Sequence, residues 1–287
     1  AGGAADAARA RLLAYNEAYL TWILPHSLLT VSLATAMLPA ASRAAASGDL
    51  AGVADETTRT LRLANTFIVP AAVGLAVLAA PFANLVFGNG AGASDWRAVG
   101  LTLVCFAVGL VPYTIQYVCL RGFYALEKMR TAFWLQVPIS GANAALAWAW
   151  VTLDPDPMTV APRLALSYSA SYLLGAVITQ LALRRSLPTL DAAGSLAHAA
   201  RVLGAAAPGA AVAWGLTWLA SGHGKVAVAA GFVAALAAFG LLFVLVARRV
   251  GVAEVDEIVG TLTRRLGGRL GRLLGGRAGG AGGRGRR

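Results

Sequence analysis

The polar side chains best suited to contact a ligand lie inside long apolar stretches of the sequence. The clearest are His26, Gln116, Arg121 and Asn143. A polar group in hydrocarbon costs free energy unless it meets a partner or a water-filled cavity. We therefore predict that these four side chains face a substrate cavity, whereas nearby serines and threonines hydrogen-bond neighbouring helices. For Arg121 the alternative is a side chain that extends along its helix to keep the guanidinium in interfacial water.

No arrangement of residue types in the sequence predicts catalysis. The three histidines, His26, His198 and His223, are far apart, and no Cys/His cluster has metal-ligand spacing. Cys105 and Cys119 lie about 21 Å apart along one helix, which is too far for a disulfide. A phosphate-binding loop with its lysine is also missing from the sequence. We expect a protein that is not an enzyme and that uses no cofactor or metal.

The elements that would position these side chains are membrane helices. The chain is 58% hydrophobic and 13% charged, whereas soluble domains are about 25% charged. A bilayer core of about 30 Å needs about 20 apolar residues per helix, and lipid forces the backbone to bond internally. Seven stretches qualify: 18–41, 63–87, 98–120, 132–153, 161–183, 202–221 and 225–247. The predicted fold class is an all-α integral membrane protein with seven transmembrane helices.

The cations between these stretches predict an orientation in the cell membrane. Between successive stretches, with Arg163 and Lys225 at the starts of the fifth and seventh stretches included, lie 3, 1, 3, 1, 3 and 1 Lys or Arg residues, and ten follow the last stretch. Because cytoplasmic loops are enriched in cations, the pattern predicts a cytoplasmic C-terminus and an extracytoplasmic N-terminus. The net charge of +11 thus reflects topology, and we expect no nucleic-acid partner. An outside N-terminus without a signal peptide further predicts that an odd number of membrane spans precedes Ala1.

Seven prolines inside five of the stretches suggest motion. Each removes a backbone donor and bends its helix, and transporters line their cavities with such broken helices. We interpret them as marks of a bundle that moves, the alternative being that proline is simply common in membrane helices. They are Pro25, Pro39, Pro70, Pro81, Pro112, Pro138 and Pro208.

The sequence divides into four predicted parts. They are an extracytoplasmic lead-in (1–17), a five-helix part (18–183), a helix pair (184–250) and a tail (251–287). The helix pair is rich in Ala and Gly, which lets helices approach closely and leaves room for lipid tails. Apolar residues recur at helical spacing from Val255 to Leu274 among arginines, which predicts an amphipathic helix on the cytoplasmic leaflet. The Gly/Arg-rich remainder is predicted to be disordered.

Several motifs together resemble one known family. They are Leu24-Pro25-His26, the stretch from Arg59 to Ala80 with Pro70 and Gly74, and Arg121-Gly122-Phe123-Tyr124-Ala125 with Glu127, Arg130 and Thr131. Collinear over about residues 15–185, they resemble the MurJ/MviN lipid II flippase family of the MOP exporter superfamily. The resemblance implies the second lobe of a fourteen-helix protein plus two extra C-terminal helices.

The resemblance also implies a function and partners. It implies transport of a lipid-linked peptidoglycan precursor, lipid II, by alternating access in cell-wall synthesis. The headgroup would lie in a cavity between two lobes and the tail in a groove beside the last two helices. The implied partners are this lipid-linked substrate, the membrane, an N-terminal lobe and cell-wall synthesis proteins. Two alternatives are a related exporter of polysaccharide-lipids or drugs, and a non-transporting scaffold for wall enzymes that uses the basic tail.

The sequence departs from the family pattern at two places. Members often carry an arginine near the position of Leu20, where this chain has no cation. Some members also hold sodium with two polar residues four positions apart. Asn143 matches the first of these, but Ala147 stands in place of the second, which argues against sodium coupling through this lobe.

Overall fold

The computed structural model describes residues 2–89, 96–153 and 159–256, and describes side chains from residue 11 onward. The long elements of these ranges are all helical, as predicted. In chain order they are α1 (Gly2–Pro25), a π-helical turn (His26–Thr30), α2 (Val31–Ala46), α3 (Leu50–Phe87), α4 (Trp96–Ala125), α5 (Met129–Leu153), α6 (Val160–Ser186), α7 (Ala192–Ala220) and α8 (Lys225–Arg249).

Six helical segments of the described chain are long and apolar enough to cross a membrane. They are Arg11–Ala46, Leu50–Phe87, Trp96–Ala125, Val160–Ser186, Ala192–Ala220 and Lys225–Arg249. The predicted all-α membrane fold is therefore confirmed. The remaining predicted span, 132–153, lies in the helix α5, which is not among these six.

The first span contains a π-helical turn. The helices α1 and α2 belong to one long helical segment, in which the five residues His26–Thr30 form a π-helical turn. Pro25, which has no backbone N–H, lies directly before this turn, and the Val31 N–H donates to the His26 carbonyl. Because π-bulges often occur at functional sites, this turn points to the side chains that it directs inward. Those side chains are His26 and Thr30, and both are buried.

Two helices extend well beyond the apolar stretches that predicted them. α3 has 38 residues and is about 57 Å long, so it exceeds a bilayer core of about 30 Å. The side chain of Asp49 caps it by accepting from the Gly52 N–H at 2.8 Å. Asp191 caps α7 in the same way through Gly194, and it also accepts from Arg62 of α3 at 2.7 Å. The extended ends of α3 and α7 are therefore joined.

The helix α4 is the centre of the bundle. It packs most extensively against α3 and α6, and it also contacts α1, α2 and α5. The helix α5 packs mainly on α6, while α7 and α8 pack on each other and on α3. Two clusters of buried side chains hold this centre, one around Phe123, Leu61 and Leu183 and the other around Trp22 and Phe106.

The closest contact at the centre is between α4 and α6. A Cβ atom added at Gly109 would lie 2.8 Å from the Cα atom of Ser169. The Ser169 hydroxyl donates to the Cys105 carbonyl at 2.8 Å, so the two helices are also joined by a hydrogen bond. Gly109 is therefore required by the short distance between the helix backbones.

The seven prolines singled out in the sequence all lie within helices, at the positions predicted. The predicted amphipathic helix from Val255 to Leu274 lies almost entirely outside the described residues, as does the Gly/Arg-rich end. Both remain predictions.

Candidate functional site

His26 contacts the central helix α4. Its Nδ1 atom is 3.0 Å from the Thr114 hydroxyl oxygen, a distance that makes a hydrogen bond. The imidazole also meets the rings of Tyr113 and Tyr117 edge-on, at centroid distances of 4.5 and 4.9 Å. Its side chain is 2% exposed. The π-helical turn thus places His26 in the interface between the first span and α4.

Arg121 lies one turn further along the same face of α4. Its guanidinium donates to the Tyr117 hydroxyl and lies over the rings of Tyr117 and Tyr124, with centroid distances of 4.7 and 5.4 Å. A cation over an aromatic face is attracted by the ring quadrupole. Because Tyr117 contacts both His26 and Arg121, these two predicted site residues belong to one connected group.

Gln116 and Asn143 lie elsewhere. Gln116 is buried on α4, and its side-chain amide donates to the side-chain oxygen of Gln136 on α5 at 2.9 Å. Asn143 is half-buried on α5 and makes no side-chain hydrogen bond within the described ranges. The structure therefore brings His26 and Arg121 together and leaves Gln116 in a cross-helix hydrogen bond of the kind that joins membrane helices.

A set of tyrosines surrounds His26 and Arg121, and sequence reasoning did not select it. All seven tyrosines of the chain lie on α1, α4 and α6, and each is half-buried. We call this set the tyrosine track: Tyr15, Tyr19, Tyr113, Tyr117, Tyr124, Tyr168 and Tyr172. Six of them form three pairs spaced four residues apart, which places each pair on one helix face. That spacing is the sequence signal that could have identified them.

Ring contacts connect the three helices of the track. Tyr113 of α4 meets Tyr172 of α6 at a centroid distance of 4.7 Å, and Tyr168 meets Tyr172 at the same distance. Tyr19 of α1 reaches Tyr168 at 6.2 Å. Buried Trp22 and Phe106 stack behind them at 5.4 Å. Edge-to-face and tilted pairs at such distances are the favourable aromatic geometries. His26 connects Tyr117 to these rings, and Arg121 connects Tyr124 to Tyr117.

Two hollows, or cavities, lie on opposite sides of α3. The first has a volume of about 330 Å³ and lies between the end of α1, α3, α4 and α8. It is lined by apolar residues that include Pro25, Gly74, Phe232 and Phe239. The second, of about 830 Å³, lies between α3, α4 and α7 and includes Arg97 and three tryptophans. The first hollow lies directly beside the helix pair and has the chemistry of an acyl or isoprenoid chain site.

The described residues contain no group of three or more His, Cys, Asp or Glu side chains that could hold a metal ion. Cys105 and Cys119 are both free thiols. The chemistry that the site offers is therefore one cation, one imidazole and a surface of phenol rings.

Comparison with known proteins identifies the family. A family model described as lipid II flippase MurJ matches residues 5–232. A probable lipid II flippase MurJ of Rhizobium meliloti (strain 1021) is 26% identical over 185 residues, which are 64% of this chain and 35% of that protein. A second probable lipid II flippase MurJ, from Vibrio cholerae serotype O1 (strain ATCC 39315 / El Tor Inaba N16961), is 28% identical over 141 residues, covering 47% and 26% of the two chains.

The fold is also similar to a solved structure. A lipid II flippase MurJ in an inward closed conformation superposes with a TM-score of 0.62 at 18% sequence identity, covering 84% of this chain and 48% of that one. The chain thus spans between a quarter and a half of the length of these relatives. Because the family model matches well over half of the residues, this multi-pass membrane chain belongs to the lipid II flippase MurJ family.

Proposed function

We propose that this chain is part of a flippase that moves a lipid-linked peptidoglycan precursor across the cytoplasmic membrane. The match of the family model over residues 5–232 is the observation that carries the proposal. The connected group of His26, Tyr117 and Arg121 on the central helix supports it, because it offers a cation and hydrogen-bonding groups within an apolar bundle.

Arg121 is the residue that we assign to the diphosphate of the precursor. Guanidinium groups bind phosphate oxygens through two parallel hydrogen bonds, and Tyr117 and Tyr124 hold this one in place. The side chain is only partly buried, so an anion can reach it. His26 then positions Tyr117 through their ring contact. Gln116 and Asn143 remain proposed cavity residues, supported by their polarity within α4 and α5.

The apolar chain of the precursor has a candidate site in the hollow of about 330 Å³ beside α8. Its lining residues are apolar, so a hydrocarbon chain would lose no hydrogen bond on entering it. The small residues of α7 and α8 let these helices lie close to each other and to α3. We propose that the chain stays in this hollow while the headgroup crosses the membrane.

Alternating access around this site needs a second helical bundle opposite the first. The proposal is that an N-terminal lobe supplies it, because the chain spans 48% of the solved flippase that it resembles. The orientation that we propose has the end of α8 in the cytoplasm. Arg248 and Arg249 at that end, and the eight arginines that follow them in the sequence, support it.

A depletion experiment in bacterial cells tests the proposal. Cells that lose their own lipid II flippase would receive the protein that contains this chain, and lipid II in the outer leaflet would be measured with an added enzyme that cleaves only exposed headgroups. We expect cleavage and growth to be restored, and Arg121→Gln to reduce the cleaved fraction at least tenfold, since charge-assisted hydrogen bonds contribute about 1.5–3 kcal/mol. Absence of cleavage at normal expression would contradict the proposal.

The alternatives give different outcomes in the same cells. A scaffold that organises wall enzymes would depend on the basic tail, so deleting residues 251–287 would abolish its role but leave a flippase largely active. An exporter of another polysaccharide-lipid or of a drug would be expressed normally and would restore no outer-leaflet lipid II.

A further inference from the structure

The tyrosine track has a composition that a diphosphate and an isoprenoid chain do not explain. Neither of those groups needs phenol rings, which combine an apolar face with a hydroxyl that donates and accepts. The seven tyrosines nevertheless lie on only three helices, and all are half-buried. We propose that the tyrosine track binds the sugar rings of a lipid-linked glycan. This inference rests on the proposed function and adds the part of the substrate that is recognised.

The chemistry of a pyranose ring fits this surface. One face of the ring presents C–H groups, which pack on an aromatic ring, while its edge presents hydroxyls, which exchange hydrogen bonds with phenols. Tyr113, Tyr168 and Tyr172 supply three such rings within contact distance of one another. A disaccharide could therefore contact several rings and hydroxyls at once.

The length of the track matches the path that a headgroup would travel. Phe106, which contacts Tyr15, precedes Tyr124 by 18 residues on α4, a rise of about 27 Å. The hydrocarbon core is about 30 Å thick. The track therefore extends through most of the membrane depth, and a sugar could keep phenol contacts at successive levels. Arg121 lies between Tyr117 and Tyr124, so an anion linked to the sugar would be held beside the same surface.

The tryptophans of the chain provide a contrast. Trp148, Trp214 and Trp218, on α5 and α7, are 74, 62 and 64% exposed, as expected for rings in contact with lipid. The tyrosines are absent from those helices. If aromatic area alone were needed at the track, phenylalanine or tryptophan would serve as well. On α1, α4 and α6, Trp22, Phe106 and Phe123 are fully buried, whereas every half-buried aromatic side chain except Trp96 is a tyrosine, which indicates that the hydroxyls of the track have a role.

The experiment compares two lipids that differ in their sugars. The purified protein that contains this chain, in phosphatidylglycerol nanodiscs, would be titrated with lipid II and with undecaprenyl diphosphate, and bound lipid would be counted by native mass spectrometry. We expect the chain to prefer lipid II at least tenfold. The triple variant Tyr113→Phe, Tyr168→Phe, Tyr172→Phe should lose at least tenfold of that preference, because one hydrogen bond of about 1 kcal/mol corresponds to about fivefold.

Two controls separate sugar binding from packing. The triple variant should bind undecaprenyl diphosphate with unchanged affinity and should unfold at the same temperature, since each phenylalanine keeps the ring contacts. Trp148→Phe on α5 should leave both affinities unchanged. If the triple variant unfolds early, the three single variants decide, each with an expected loss of about fivefold in lipid II affinity alone.

Equal affinity for the two lipids, or a variant that keeps the full preference, would overturn the inference while leaving restored flipping in cells intact. The protein could instead prefer another glycan on the same carrier and lose that preference in the triple variant. That result would support sugar binding by the tyrosine track but would overturn lipid II as the cargo. The two failures are therefore distinguishable.

Discussion

Gly109 shows how a single residue sets the distance between two central helices. The backbone of α6 approaches so closely that a methyl group at this position would meet Ser169 at 2.5 to 2.9 Å. Ordinary contacts between carbon atoms are about 3.5–4.0 Å, so α4 and α6 would have to separate. This separation would also weaken the hydrogen bond from Ser169 to Cys105. The α4–α6 contact carries Tyr113, Tyr168 and Tyr172, so the track depends on it.

We predict that Gly109→Ala destabilises the protein by about 1–3 kcal/mol, the usual cost of forcing atoms into a packed interface. The matched control is Gly204→Ala on α7, where nothing lies within 4 Å of the added carbon. That change should be neutral or stabilising, since alanine favours helix over glycine by about 1 kcal/mol. Unfolding by a denaturing detergent, followed by far-UV circular dichroism, measures both. Equal effects of the two changes would contradict the close contact.

The His26–Thr114 hydrogen bond is buried, so removing one partner should cost more than removing both. Thr114→Val leaves a buried imidazole nitrogen without its partner, whereas the double variant with His26→Leu leaves apolar groups on both sides. We predict a coupling energy of about 0.5–3 kcal/mol in a double-mutant cycle of unfolding free energies. Additive effects would mean that the two side chains do not interact.

At the scale of residues, the sequence predicted part of the candidate site and left out its tyrosines. His26 and Arg121 were predictable, because an imidazole and a cation are costly in or beside apolar stretches. The tyrosines were not selected, since a phenol is common in membrane proteins and costs little there. Their pairing by spacing is visible in the sequence, but the packing of α1, α4 and α6 around one another is a tertiary fact.

At the scale of helices, the ends of α3 and α7 depend on aspartate caps that extend them past the apolar stretches. The side chains of Asp49 and Asp191 each accept a hydrogen bond from the backbone N–H of the glycine three residues later, at 2.8 Å in each case. Asp191 differs because it also pairs with Arg62 of α3. That pair is 37 and 48% exposed, so its contribution is small.

The two caps make a matched comparison. Replacement of either aspartate by alanine should cost about 1 kcal/mol for the lost cap. Replacement by asparagine keeps an acceptor oxygen, so Asp49→Asn should be nearly neutral, while Asp191→Asn should lose about 0.2–1 kcal/mol from the pair with Arg62. Unfolding free energies of the four variants measure this. An Asp191→Asn effect that matches that of Asp49→Asn would show that the ion pair contributes nothing.

Hydropathy predicted where helices occur better than where they end. Every apolar stretch is helical over nearly its whole length, because lipid leaves the backbone no other way to bond. The stretch 18–41 crosses the π-helical turn, and the stretch 202–221 ends one residue after α7. Several helices extend beyond their predicted apolar stretches, because capped and charged turns continue them into water. Residues 50–62 of α3 are one example. The π-helical turn after Pro25 was not predictable, since proline marks an interruption but not the geometry that repairs it.

For the whole molecule, the predicted orientation can be tested with a thiol reagent that does not cross membranes. In a background of Cys105→Ala and Cys119→Ala, cysteine would replace Ser47, between α2 and α3, or His223, between α7 and α8; both are exposed. We expect His223→Cys to be labelled in intact cells and Ser47→Cys only after permeabilisation. Labelling of Ser47→Cys in intact cells, with His223→Cys labelled only after permeabilisation, would show that the topology is opposite to the one inferred from the cations.

The central claim is that the surface formed by α1, α4 and α6 holds a lipid-linked precursor. A photo-crosslinking amino acid at Tyr117, beside His26 and Arg121, tests it most directly, with the same residue at Trp148 on α5 as the control. In membranes that contain lipid II, we predict lipid II adducts at position 117 and only phospholipid adducts at position 148. Adducts of lipid II at position 148 alone, or phospholipid adducts alone at both positions, would contradict it.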